Sequence, residues 1–109
     1  MKRQREPFTT DEILRRMADG ESLRSGSAKS FGLWKLRGAT IVVLGNEFSV
    51  DDDAITHLYL AGKIAETHEH EFISTYRTCD DAEAAKRVAH IARWGVLDLH
   101  AVDARKSRK

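Results

Sequence analysis

The sequence predicts one small α+β domain with its elements in the order α-β-β-α-β-β-α, and three observations carry that prediction. The chain has 109 residues, room for one hydrophobic core and not for two. Its composition is 41% hydrophobic and 32% charged, that of an ordinary globular chain with enough apolar surface to fold without help. Helix-start signals also alternate along it with β-branched and aromatic runs bounded by glycines.

The first helix begins at Phe8-Thr9-Thr10-Asp11-Glu12-Ile13. Thr9 can accept from the backbone at Glu12 while Phe8 staples onto Ile13. Ile13, Leu14 and Met17 give the helix an apolar stripe, Arg15 and Arg16 its exposed face, and Gly20 a left-handed stop. Ser25 to Ser30 is small and polar and predicts a flexible loop. Phe31 to Arg37 and Thr40 to Leu44, separated by Gly38-Ala39, predict an antiparallel hairpin whose Ile41-Val42-Val43-Leu44 run is the most buried strand.

After Gly45-Asn46, Ser49 is placed to cap a second helix. Its first turn carries Asp51, Asp52 and Asp53, favoured beside the positive end of the helix dipole. Val50, Ala54, Ile55, Leu58 and Ala61 form its inner face, and Gly62 ends it. Lys63 to Thr67 and Phe72 to Thr78 read as a second hairpin around the polar tip His68-Glu69-His70-Glu71. Asp80 caps a long final helix with Ala85, Val88, Ala92, Gly95, Leu99 and Val102 at spacings of three and four, and Gly95 either breaks it or admits another backbone. Residues 1–109 thus form one domain, with 1–7 and 105–109 as flexible basic tails.

Charge is distributed in blocks. Met1 to Arg37 holds nine basic and five acidic side chains, Gly38 to Glu83 two and ten, and Ala84 to Lys109 seven and two, for a net charge of +1. Basic ends around an acidic middle either neutralise one another in the fold or present faces of opposite sign to partners. No apolar run approaches the roughly 18 residues that cross a bilayer, and Met1 to Pro7 lacks the apolar stretch of a secretory signal. A cytoplasmic location is expected, with the lone Cys79 as a spare reduced thiol.

The motifs that would carry catalysis are weak. His68 and His70 stand two apart on a turn, not at the i, i+4 spacing of a helical zinc site. His90 and His100 are ten apart on one helix and nearly 80° out of phase. Cys79 has no local basic cluster to activate it. Ser25-Gly26-Ser27-Ala28-Lys29-Ser30 has too few glycines for a phosphate loop, and the three aspartates lack the alternation of a calcium loop. No catalytic residue, cofactor, metal or small-molecule substrate is expected.

From Val43 to Tyr76 a strand leads to a helix with Ala54, Leu58 and Gly62, then Lys63-Ile64 and a hairpin ending Ile73-Ser74-Thr75-Tyr76. That third of the chain resembles winged helix-turn-helix domains, which implies a winged-helix-like middle. It departs from them in the hairpin that precedes the helix and in the three aspartates that open it, which would face phosphates unfavourably. The resemblance therefore carries over shape and no reading residues.

Two binding functions follow as expectations. The first is a nucleic-acid-binding regulator of phage or plasmid type, with Arg3, Arg5, Arg15, Arg16, Lys35, Arg37, Arg105, Lys106 and Arg108 neutralising phosphates. No aromatic residue is interleaved with the basic ends to stack on bases. The second is a protein-binding inhibitor or adaptor. It would use the acidic surface of Asp51, Asp52, Asp53, Glu69 and Glu71, which could imitate DNA, or it would pair a copy of itself along Val88, Ala92, Gly95 and Leu99 into a dimer.

Overall fold

The computed structural model describes residues 6–50, 52–67 and 72–107. The first helix, α1, spans Thr10–Ala18. Thr9 caps it as the sequence predicts, its Oγ1 accepting from the Glu12 backbone N–H at 3.1 Å, and Phe8 and Ile13 bury in the same core. Gly20, at φ +95°, turns the chain out of the helix.

The segment expected as a loop is instead the strand β1, Leu23–Ser27. It occupies the centre of the sheet, where its small side chains permit close neighbours. The Ser25 hydroxyl lies 3.0 Å from that of Tyr76, and a Cβ at Gly26 would stand 2.8 Å from the Phe72 carbonyl oxygen. The segment expected as the first strand of the hairpin, Phe31 to Arg37, is not extended. Two 3-10 turns, Ala28–Phe31 and Trp34–Leu36, occupy this region. With three residues per turn, Leu33 and Leu36 fall on one side and pack inward.

The strand β2, Thr40–Leu44, is as buried as expected, with Ile41 to Leu44 at 1% exposure or less. It turns at Gly45-Asn46 into a short strand β3, Glu47–Ser49. Ser49 therefore does not cap the next helix. It is fully buried opposite Val42, and its hydroxyl has no hydrogen-bond partner among the described residues. Asp52 takes the cap position of α2, Asp53–Leu60, without a side-chain cap bond. Gly62, at φ +73°, follows that helix and abuts the Ala84 backbone. The second hairpin forms as predicted from β4, Ile64–Glu66, and β5, Ile73–Thr78; its tip, residues 68–71, lies outside the described residues.

Asp80 caps the next helix through the Glu83 N–H at 2.7 Å. Gly95, at φ +93° and ψ 160°, then breaks the expected long helix into α3, Asp81–Trp94, and α4, Val96–Ser107. The inner face of α3 is also one residue out of register with the expected stripe. Ala84, Arg87 and Ile91 face inward, whereas Ala85, Val88 and Ala92 are exposed.

The order α-β-β-α-β-β-α thus holds, with β3 added and the final helix in two parts. Among the described residues five strands pair antiparallel in the order β3-β2-β1-β5-β4. Because side chains alternate across a strand, the sheet has two distinct faces. Leu23, Val42, Leu44 and Ile64 meet Ile13, Ile55, Leu58 and Leu99 of the helices on one. Ile41, Val43 and Phe48 on the other lie under Phe31, Leu33 and Leu36 of the 3-10 segment. No helix is long and apolar enough to cross a membrane among the described residues.

Candidate nucleic-acid interface

The 3-10 segment that covers the second face carries cations and an exposed aromatic ring on its outer side. Ser27 caps its first turn, accepting from the Ser30 N–H at 3.3 Å, and Gly32 and Gly38 at positive φ bracket the second. With Leu33 and Leu36 committed to the core, Trp34, Lys35 and Arg37 are left facing outward. Trp34 is 65% exposed, and the Lys29 ammonium sits 5.6 Å from its ring centre. The Arg24 guanidinium lies 5.8 Å from the centre of the neighbouring Phe31 ring.

Trp34 forms a wall of two adjacent grooves. One, of about 280 Å³, is completed by Lys29 and Arg37; the other, of about 510 Å³, includes Gly32, Lys35 and Phe48. Lys35 and Arg37 are the two cations of this surface that sequence reasoning picks out; it misses Lys29, Trp34 and Arg24. A signal for them exists: no acidic residue occurs between Glu21 and Glu47, while Arg24, Lys29, Lys35 and Arg37 all do.

The other expected phosphate ligands lie elsewhere. Arg15 is exposed on α1, and Arg105 and Lys106 are exposed in the last turns of α4; Arg3, Arg5 and Arg108 lie outside the described residues. Arg16 is occupied. Its Nε and Nη2 each donate to Glu21 at 2.7 Å, Nη2 also reaches Glu47 at 3.2 Å and the Leu44 carbonyl at 3.3 Å, and Nη1 lies 3.6 Å from Glu12. The hydrogen bonds to Glu21 raise the Arg16 pKa and hold the Glu21 carboxyl below its usual range. Arg16 is therefore a strut joining α1 to the β2–β3 hairpin. Arg16→Glu is expected to lower stability by at least about 2 kcal/mol, and Arg15→Glu to stay within about 0.5 kcal/mol, as read by thermal denaturation.

Of the residues expected to meet a protein, Asp52 and Asp53 are exposed at the start of α2. Asp51, Glu69 and Glu71, with His68 and His70, lie outside the described residues. Val88 and Ala92 are exposed on α3 and Gly95 forms the break, but Leu99 is 3% exposed and packs in the core.

A buried polar cluster joins the C-terminal helices to the sheet, and nothing in the residue pattern singles it out. The Arg87 guanidinium donates to both oxygens of Asp103 at 2.9 and 2.8 Å. The Tyr59 hydroxyl donates to the same carboxylate at 2.6 Å. Arg87 is 6% and Asp103 3% exposed. His100 stacks on Tyr59 with ring centres 4.3 Å apart and sets Nδ1 3.2 Å from Glu66, which also accepts from Ser74. His90 pairs instead with Asp98, at 2.7 Å.

Burial, then the hydrogen bond to Asp103, raises the Tyr59 pKa, and burial also raises that of Tyr76. These are the chain's two tyrosines. Spectrophotometric titration is therefore expected to show no tyrosinate at the ordinary pKa of about 10, with ionisation delayed to higher pH. Since the unfolded chain releases these protons first, stability falls as pH rises above about 10. Ionisation of either tyrosine near 10 in the folded protein would contradict the buried arrangement. Burial and the nearby Glu83 likewise push the Cys79 thiol up, against the opposing influence of Arg87 and Arg77, leaving it mostly protonated at neutral pH.

No cluster of metal-ligating side chains occurs among the described residues. The chain is a small α+β domain with one antiparallel sheet, helices on one face and a short cationic, aromatic segment on the other. No protein-family model, curated protein or solved structure matches it.

Proposed function

We propose that this domain is a non-catalytic nucleic-acid-binding protein of regulatory type that engages phosphates and bases through the surface around Lys29, Trp34, Lys35 and Arg37. The observation that carries this reading is the grouping of Lys29 and Arg37 with the exposed Trp34 along one groove. Cations that neutralise phosphate beside an aromatic ring that accepts a base are the two ingredients of such a surface. Arg24 on β1, its guanidinium 5.8 Å from the centre of the Phe31 ring, extends the positive charge onto the sheet.

The succession of α2 and the β4–β5 hairpin keeps the helix-then-wing order of a winged domain. The helix that would enter a groove, however, starts with the exposed Asp52 and Asp53 and carries no Lys or Arg. The 3-10 surface is the better phosphate ligand.

The test is the salt dependence of binding to a labelled nucleic acid followed by fluorescence anisotropy. Four phosphate contacts give a slope of roughly −3 to −4 for log affinity against log salt, a loss of about 50-fold or more between 50 and 200 mM. Absence of binding at low salt, or binding indifferent to salt, sinks the reading.

One observation favours a second reading, a protein-binding adaptor. At the corner between α3 and α4, Trp94 is 59% and Leu97 80% exposed, more apolar surface than the corner needs for its own packing. In that case sedimentation shows self-association that Leu97→Asp abolishes.

A further inference from the structure

We infer that the ligand is an unpaired strand of nucleic acid, one base of which stacks on Trp34 while its flanking phosphates lie on Lys29 and Arg37 on one side and Lys35 on the other. The inference rests on the nucleic-acid reading above and specifies its substrate class. In a duplex the face of every internal base is covered by its neighbours, so an exposed indole on a protein surface has nothing to stack on. In a single strand each base offers a free face, and base–aromatic stacking becomes a main source of affinity.

The geometry around Trp34 suits such a strand in two respects. The indole is shared by two grooves, so a backbone that crosses it continues from one groove into the next. The cations are divided between those grooves, Lys29 and Arg37 in the first and Lys35 in the second. The Lys29 ammonium lies over one face of the ring, 5.6 Å from its centre, so charge is held against the indole and a base stacks on the opposite face. The platform itself is held firmly: the residue before Trp34 and the second residue after it, Leu33 and Leu36, are both anchored against the core under the segment. α2, Asp53–Leu60, the helix that a winged domain would set in a duplex groove, has no Lys or Arg to place there.

Trp34 and Trp94 are the chain's tryptophans, and Trp94 is 59% exposed, so Trp94→Phe leaves Trp34 as the sole indole emitter without disturbing the core. The probes are an oligothymidine of about ten nucleotides, within the usual footprint of a single-strand site, and a blunt duplex of the same length, both at low salt. The expected result has three parts. Oligothymidine quenches the Trp34 emission and binds at least about tenfold more tightly than the duplex. Trp34→Ala weakens oligothymidine binding about tenfold or more, and Trp34→Phe restores most of it. Both variants keep the wild-type melting profile, because the side chain lies outside the core.

Equal affinity for duplex and single strand, or oligothymidine binding with no change in Trp34 emission, overturns the inference and leaves the nucleic-acid reading in place. Failure of both probes to bind removes the two together.

Discussion

Asp103→Ala is expected to destabilise the domain by about 3–5 kcal/mol, the range for breaking a buried ion pair by removing one partner. Asp103 is 3% exposed and is met by both terminal nitrogens of Arg87 and by the Tyr59 hydroxyl. Its loss leaves a guanidinium, itself 6% exposed, with no carboxylate to face. For a domain near this size each kcal/mol corresponds to about 4–8 °C in melting temperature, so the midpoint should fall by about 12 °C or more. A fall of only a few degrees would show that water reaches the cluster and that the pair is not buried as described.

Two comparisons isolate the charge. Tyr59→Phe removes one hydrogen bond and should cost about 1 kcal/mol. Arg87→Met combined with Asp103→Leu removes both charges and should recover much of the loss, since no ion is then buried alone. The acid limb of stability carries the same signature. Burial works against the charged form of Asp103, but hydrogen bonds from Arg87 and Tyr59 outweigh it and hold the carboxyl below its ordinary value. The Arg77 fork pulls Glu83 down to about 2. Stability from a depressed carboxyl is present above its unfolded pKa and lost as pH falls through the folded value. Wild-type stability should therefore decline from about pH 4 downward, and Asp103→Ala, lacking one of these groups, should decline less steeply.

Arg87 also shows where the sequence stops being legible. The stripe Ala85, Val88, Ala92 that the apolar spacing predicts leaves Arg87 off the inner face of α3 and so falls one residue from the face the structure buries. In the structure Arg87 holds an inward position between Ala84 and Ile91 because a carboxylate on α4, sixteen residues away, neutralises it. No local pattern announces such a partner. The cap at Thr9, the cap at Asp80, the β2 core strand and the β4–β5 hairpin were legible because each depends on neighbouring residues alone.

From Leu23 to Leu36 the structure exchanges the expected loop and strand, for a related reason. Ser25 and Gly26 look like a loop by composition, yet their smallness is what the sheet centre requires where Tyr76 and the Phe72 carbonyl come close. Phe31 to Arg37 looks like a strand by its aromatic content. A strand would have split Trp34 from Lys35 and Arg37 by alternation. The 3-10 geometry gathers them on one side, so the absence of aromatics among the basic groups, inferred from the chain ends, does not hold for this surface.

Lys29→Glu combined with Arg37→Glu is accordingly the substitution with the largest expected effect on binding. Both side chains are exposed and neither belongs to the core, so the melting temperature should stay close to wild type. Each reversal removes a phosphate contact and adds a repulsion. Affinity for nucleic acid at low salt should fall about 100-fold, and the slope against log salt should shrink by about 1.5, the share of two contacts. The control is Arg15→Glu combined with Arg105→Glu, which changes the net charge equally at two exposed positions away from the 3-10 surface. Binding that survives the control and collapses in the first variant locates the ligand at the grooves beside Trp34. Equal losses in the two variants would mean that the domain attracts polyanions through its overall charge and that the surface around Trp34 has no special part in it.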